Sequence, residues 1–338
     1  MQGITLTVYD ETNTPIAEVD TAEVLWISRY DTPGSFTIKV PATAETVALY
    51  KPRRHIKKEP IESTGIIEKI TIEMVAATGG QVLIVSGRTV DCILSHRVWN
   101  SWKVSEGTDR LSTIQGFFDG FVGDRKLPIT VTGSLPSEDY SISQRGKTLL
   151  ELVQSLIQDI GAGYTMSYTP NEEALYNIEF FKGTDHSDVI FSPEYENLQK
   201  ALYEKDVTDT ATCVYVAGEG EDENRVIQSV STGETGLSRV EKWVDARDLQ
   251  KDSKTTDTQY QAILKARGVE ILQQTAFTEA FAGDVAFTTQ WVYGVDYNLG
   301  DRVTVEVPEW GISALYRVVE ITEQQNASGY QLQPTFAK

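Results

Sequence analysis

Apolar and polar residues alternate along most of this chain. Ile4-Thr5-Leu6-Thr7-Val8-Tyr9 carries apolar side chains at every second position and runs into Asp10-Glu11-Thr12-Asn13-Thr14-Pro15, a cluster of turn formers. Residues 23–30 and 35–40 read as a strand pair around the Pro33-Gly34 turn. Further strands are expected from Ile56 onward, over 66–74 and over 81–86, with Thr78-Gly79-Gly80 as a hairpin tip. About six short strands at regular spacing predict a small closed barrel, because closure removes unpaired edges.

The rhythm changes near Thr89. Val90, Cys92, Ile93 and Leu94 precede His96-Arg97 in a helical turn or two, and 112–121 reads as a short helix. The clearest helix is 147–160, where Leu149, Leu152, Val153, Leu156, Ile157 and Ile160 recur at three- and four-residue spacing before a Gly161-Ala162-Gly163 stop. Strands follow at 164–168 and 175–181, then at 198–206, 212–217, 225–231 and 239–244. The acidic, glycine-rich run 218–224 predicts an exposed hairpin loop, and 256–274 a second long helix weakened by Gly268. In the final β region, Asp296-Tyr297-Asn298-Leu299-Gly300-Asp301 turns the chain into a strand with Val303, Val305 and Val307 on one face and Arg302, Thr304 and Glu306 on the other. The expected fold class is mainly β with an α+β insertion. It divides into a β-barrel-like domain over 1–95, an α+β middle domain over 96–195 and a second β-barrel-like domain over 196–338 that carries the long helix.

Length agrees, since 338 residues suffice for two or three domains with their own cores. No apolar run approaches the roughly 20 residues that span a bilayer, and the N-terminus lacks a secretion signal, so the expectation is a soluble chain without membrane insertion. Two cysteines, Cys92 and Cys213, imply no disulfide framework. The formal net charge of −19 repels phosphate backbones and argues against specific nucleic-acid binding. Residues 1–100 hold 10 Lys and Arg against 12 Asp and Glu, whereas the remainder holds 20 against 37. The single basic cluster is Lys51, Arg53, Arg54, Lys57 and Lys58. It reads as a solvated loop between strands, as a docking patch for an acidic neighbour or a second copy, or, against the field of the whole chain, as a phosphate-tracking patch.

Several runs invite an enzymatic reading and each falls short. Gly146-Lys147-Thr148 resembles the end of a phosphate loop, but the first glycine of that pattern falls on Ser141. Asp185-His186-Ser187-Asp188 gathers triad residue types on consecutive positions, where side chains diverge, and reads as a capped turn. Cys92 and His96 are spaced to share a helix face as metal ligands. A zinc site needs three or four ligands, and the other histidines and cysteine sit in unrelated segments, so no metal, cofactor or catalytic residue is assigned. Trp99 and Trp102 lie close together among polar residues and read as a domain-interface lid or as a partner- or sugar-binding platform.

Several blocks together resemble the tail-hub proteins of siphophages. They are Pro33-Gly34-Ser35-Phe36-Thr37-Ile38-Lys39-Val40-Pro41, Gly65-Ile66-Ile67-Glu68, Arg239-Val240-Glu241-Lys242-Trp243-Val244-Asp245-Ala246-Arg247-Asp248 and Asp296-Tyr297-Asn298-Leu299-Gly300-Asp301. That family is related to the baseplate hubs of contractile phages and to the N-terminal module of tail-associated lysins. The resemblance implies a baseplate-hub-like fold and a homotrimer whose two barrels per chain form a pseudo-sixfold ring between tail tube and tail tip. It further implies partners among tail-tube, distal-tail and tip or fibre proteins, and a place in the virion tail after assembly in the bacterial cytoplasm. No peptidase or lysozyme-like segment follows the last strand, so wall-degrading activity is expected from another chain or from a portion beyond this sequence. A cell-wall hydrolase and a carbohydrate- or receptor-binding module stand as alternatives.

Overall fold

The computed structural model describes residues 3–19, 23–75, 80–100, 104–143, 146–170, 172–251, 253, 255–285 and 291–338. The N-terminal strands are β1 (Thr5–Tyr9), β2 (Pro15–Val19), β3 (Glu23–Arg29), β4 (Ser35–Pro41), β5 (His55–Glu59), β6 (Ser63–Val75) and β7 (Gly80–Thr89), with the short helix α1 (Ala44–Leu49) between β4 and β5. They pair antiparallel in the order β2-β1-β5-β6-β7-β4-β3. Alternation places Leu6, Val8, Trp26, Phe36, Ile38, Ile56, Leu83 and Val85 in one core. There Trp26 stacks on Phe36 at 4.9 Å, and Gly65 leaves the space this needs: a Cβ at Gly65 would lie 2.3 Å from the Phe36 ring. Of the hairpin tip expected at Thr78-Gly79-Gly80, residues 78 and 79 lie outside the described residues.

Beyond a 3₁₀ segment (Val90–His96) come β8 (Val104–Gly107), α2 (Arg110–Asp119), β9 (Ile129–Gly133), β10 (Tyr140–Ser143), α3 (Leu149–Ile157), β11 (Gly163–Tyr168) and β12 (Tyr176–Phe181). The sheet β11-β12-β9 mixes an antiparallel with a parallel pairing, and α2 and α3 share a core with it around Phe117, Leu152, Leu156, Ile178 and Phe180. Capping explains where α3 begins: the Thr148 hydroxyl and the Glu151 carboxylate satisfy each other's backbone N–H groups.

The last third holds β13 (Asp185–Phe191), β14 (Leu198–Asp206), β15 (Cys213–Ala217), β16 (Ile227–Ser231), β17 (Glu241–Asp245), α4 (Asp257–Gln274), β18 (Thr278–Val285), β19 (Arg302–Val307), β20 (Ile312–Asn326) and β21 (Gly329–Ala337). Strands β15 to β17 form their own three-stranded sheet, with a core under α4 made by Val214, Val216, Tyr260 and Leu264. The others continue the N-terminal sheet. The 15-residue β20 pairs through residues 312–317 with β19 and through 320–325 with β3, while β21 lines its opposite edge. One strand therefore joins the two barrel-like halves edge to edge.

The end of β20 also completes the N-terminal barrel, by an unexpected route. Among the described residues no backbone ladder links β1 or β2 to β20. Instead the Gln325 side-chain amide accepts from Ile4 N at 2.5 Å and donates to Ile4 O at 3.4 Å, occupying the place of a strand pair. No helix among the described residues is long and apolar enough to cross a membrane.

Candidate functional site

The basic cluster does not stay together. Strand β5 alternates, so Ile56 and Lys58 point into the barrel and His55 and Lys57 point away. Lys58 is wholly buried, and its Nζ lies 2.5 Å from Oε2 of the equally buried Glu323 on β20; Tyr330 donates to the other carboxylate oxygen at 2.9 Å. Burial pulls the Lys58 pKa down while Glu323 pulls it up, and burial prevails. Arg54 is also buried: its guanidinium donates to the Ala48 and Leu49 carbonyls and to both oxygens of Glu11. Lys57 pairs with Glu62 at 3.1 Å and Glu59 at 3.6 Å. Lys51 and Arg53 remain exposed. The sequence cluster thus separates into two interior cations, Arg54 and Lys58, a half-buried Lys57 paired with surface glutamates, and the exposed Lys51 and Arg53.

His55 faces the middle sheet. It stacks on Tyr168 at 4.5 Å and shares a 2.7 Å hydrogen bond with the Tyr176 hydroxyl; burial lowers its pKa to about 4. Trp99 is inserted against Phe117 and Phe121 at 5.6 and 5.7 Å, so most of its ring faces the middle core and not solvent. Trp102 lies outside the described residues.

Tyr30, which the sequence does not single out, touches all three regions. Its backbone N–H donates to Val319 O, its carbonyl accepts from Tyr164 N, and its hydroxyl accepts from Gly183 N and donates to Phe181 O. Arg317 lies over its ring at 5.5 Å. The turn before β19 closes on the same ring: Gly300 has φ +95°, and a Cβ there would stand 2.2 Å from Tyr30. Asp301 fixes that turn by accepting from Asn298 N and Thr184 N.

The runs with enzymatic residue types serve structural ends. Lys147 is buried and reaches Glu270 on α4 at 2.5 Å and Ser155 at 3.1 Å, and burial lowers its pKa. Residues 185–188, expected as a turn, lie in the irregular strand β13, where Asp185 pairs with Arg302 and His186 meets Thr184. A cleft of about 930 Å³ between α3 and α4 is lined by five carboxylates, Asp31, Asp139, Glu151, Asp159 and Glu270. Four are engaged: Asp31 by Gln158, Glu151 in the α3 cap, Asp159 by the buried Arg110 and Glu270 by Lys147. Carboxylates held in this way are poorly placed to work as a free acid–base pair.

The chain is thus mainly β, with one large sheet continuous through β20, a separate sheet of β15 to β17 and an inserted α+β unit. The chain belongs to the Siphovirus ReqiPepy6 Gp37-like protein family, whose model matches residues 5–114 and 124–338. Its fold is similar to that of a tail protein from Neisseria meningitidis MC58 (14% identity, TM-score 0.61, covering 99% of this chain and 97% of that one). It is similar also to the 43 kDa tail protein of prophage MuSo2 from Shewanella oneidensis (11%, 0.59, 98% and 97%). A third similar structure is the prophage tail protein gp18 from Listeria monocytogenes EGD-e (12%, 0.55, 98% and 94%). No curated protein matches the sequence. The siphophage family and the mainly β tail-protein fold expected from the sequence therefore hold.

Proposed function

We propose that this protein is a structural hub of a phage or prophage tail, a homotrimer that links the tail tube to the tail tip. The observation that carries the reading is β20, which fuses two barrel-like halves into one continuous sheet within a chain whose fold is that of tail proteins. Three such chains present six barrel-like units around a ring, and closed cyclic symmetry limits assembly at three. The net charge of −19 supports passage of DNA without capture. In this reading the divisions near residues 95 and 195 separate the ring-forming parts from the middle unit. The contacts between copies draw on Lys51, Arg53 and Lys57 and on the acidic loop between β15 and β16; Arg54 and Lys58 are engaged inside the chain and leave this list. The partners are the tube, distal-tail and tip proteins, and the protein acts in the virion tail after assembly in the host cytoplasm.

Light scattering coupled to size-exclusion chromatography over a concentration series tests the reading, together with negative-stain microscopy. A mass of three chains with ring-shaped particles is expected. A mass that stays at one chain, alone and with purified tube protein, overturns it. A zymogram on purified peptidoglycan tests the non-enzymatic part, and clearing that is lost on carboxylate substitution would sink it.

A further inference from the structure

The sequence brings Cys92 and His96 within one short segment and supplies no third ligand nearby. The fold supplies one. In the β6–β7 ladder Ile67 pairs with Gly87 and Lys69 with Ser86, so Glu68 is the extra residue of a bulge. A bulge turns one side chain away from its regular alternation, and here the turned residue is Glu68. The 3₁₀ segment that follows β7 carries Cys92 and His96 to the same place. A carboxylate oxygen of Glu68, the Cys92 sulfur and a ring nitrogen of His96 all lie within 4.8 Å of one another.

We propose that Glu68, Cys92 and His96 bind a divalent transition-metal ion of the zinc class, with the remaining coordination position open to water. A mixed sulfur, nitrogen and oxygen donor set suits zinc or cobalt(II), whereas magnesium and calcium take oxygen ligands. Cys92 forms the buried floor, while Glu68 and His96 are exposed and leave a path for entry. Arg88 donates to both oxygens of Glu68, at 2.9 and 2.6 Å. On binding, one oxygen turns to the ion and the other keeps Arg88, the outer hydrogen bond that orients a ligating carboxylate. The Cys92 thiol passes its proton to solvent, and the thiolate and carboxylate together neutralise the dication. The positive charge of Arg88 lowers the affinity, so the site is moderate in strength. Occupancy ties the β6 bulge to the segment that leads from the N-terminal barrel into the middle unit.

Cobalt(II) titrated into the full chain tests the site by optical spectroscopy, and zinc by calorimetry and thermal unfolding. One ion per chain, a sulfur-to-cobalt charge-transfer band and a rise in melting temperature with zinc are expected. Because Cys92→Ser alters a buried position and can compromise folding, the decision rests on the exposed ligands. His96→Ala and Glu68→Gln should each weaken zinc binding by about tenfold or more and abolish the zinc-dependent rise, while His186→Ala should leave both unchanged. The site is overturned if binding does not saturate, if cobalt binds without the thiolate band, or if His96→Ala and Glu68→Gln bind as the parent does.

Discussion

Lys58 Nζ and Glu323 Oε2 are 265 residues apart in the chain and 2.5 Å apart inside the N-terminal barrel. Removing one member leaves a carboxylate in an apolar interior with Tyr330 as its remaining partner. Lys58→Met should therefore destabilise the protein by about 3–5 kcal/mol. Adding Glu323→Leu to the same chain should restore most of that loss, because the double change buries no charge. Denaturant midpoints of the two variants and the parent check the pattern; a double variant weaker than the single one would contradict it.

His55 makes stability depend on acidity. Its folded pKa of about 4 lies below the ordinary histidine value of 6.5, so between these limits the unfolded chain binds the additional proton. Stability should be full above pH 6.5 and fall as the pH drops towards 4, by on the order of 3 kcal/mol. His55→Gln should remove that part of the slope. Urea unfolding at a series of pH values measures it.

Gly300 is tied to Tyr30 by space and to its own turn by φ. Gly300→Ala brings both the left-handed conformation and the 2.2 Å approach to the ring into conflict with a Cβ, and should cost roughly 2 kcal/mol or more. Tyr30→Phe keeps the packing and removes the hydroxyl that serves Gly183 N and Phe181 O, for a loss of about 1–2 kcal/mol. Melting temperatures should rank the parent first, then Tyr30→Phe, then Gly300→Ala.

Charge reversal at Lys51 and Arg53 should raise the concentration at which the chains assemble severalfold and reduce its dependence on salt. Neither side chain belongs to the interior networks, so the monomer should keep its melting temperature. Sedimentation at two ionic strengths reads both effects, and assembly unchanged at either would remove the pair from the interface.

Local signals carried far in this chain. The helices expected over 147–160 and 256–274 are Leu149–Ile157 and Asp257–Gln274, because Thr148–Glu151 and Thr256–Gln259 are capping boxes readable within four residues. The strand of Val303, Val305 and Val307 buries all three valines, as its alternation demands. Pairings across long separations were not legible. The alternation of β5 places Lys58 on the face of Ile56, but a lysine among basic neighbours reads as solvated until Glu323 is seen opposite it. Glu68 was equally obscured, since a bulge interrupts the very periodicity from which orientation is read. The separate sheet of β15 to β17 looked like more of the same strand-rich region, because strand partners are set by topology and not by composition.

The strand shared between the halves has a consequence for synthesis. Residues 320–325 pair with β3, and Arg29 holds Glu320 at 2.7 Å across 291 residues of chain. A ribosome has therefore made at least 320 residues before the first barrel can acquire its last strand, and loops of that length close slowly. A product cut short before residue 320 carries an uncovered edge at β3 and an uncompensated ammonium in its interior. Such fragments cannot present a finished first barrel, so the topology makes that barrel a late product of synthesis, available only once β20 has been made.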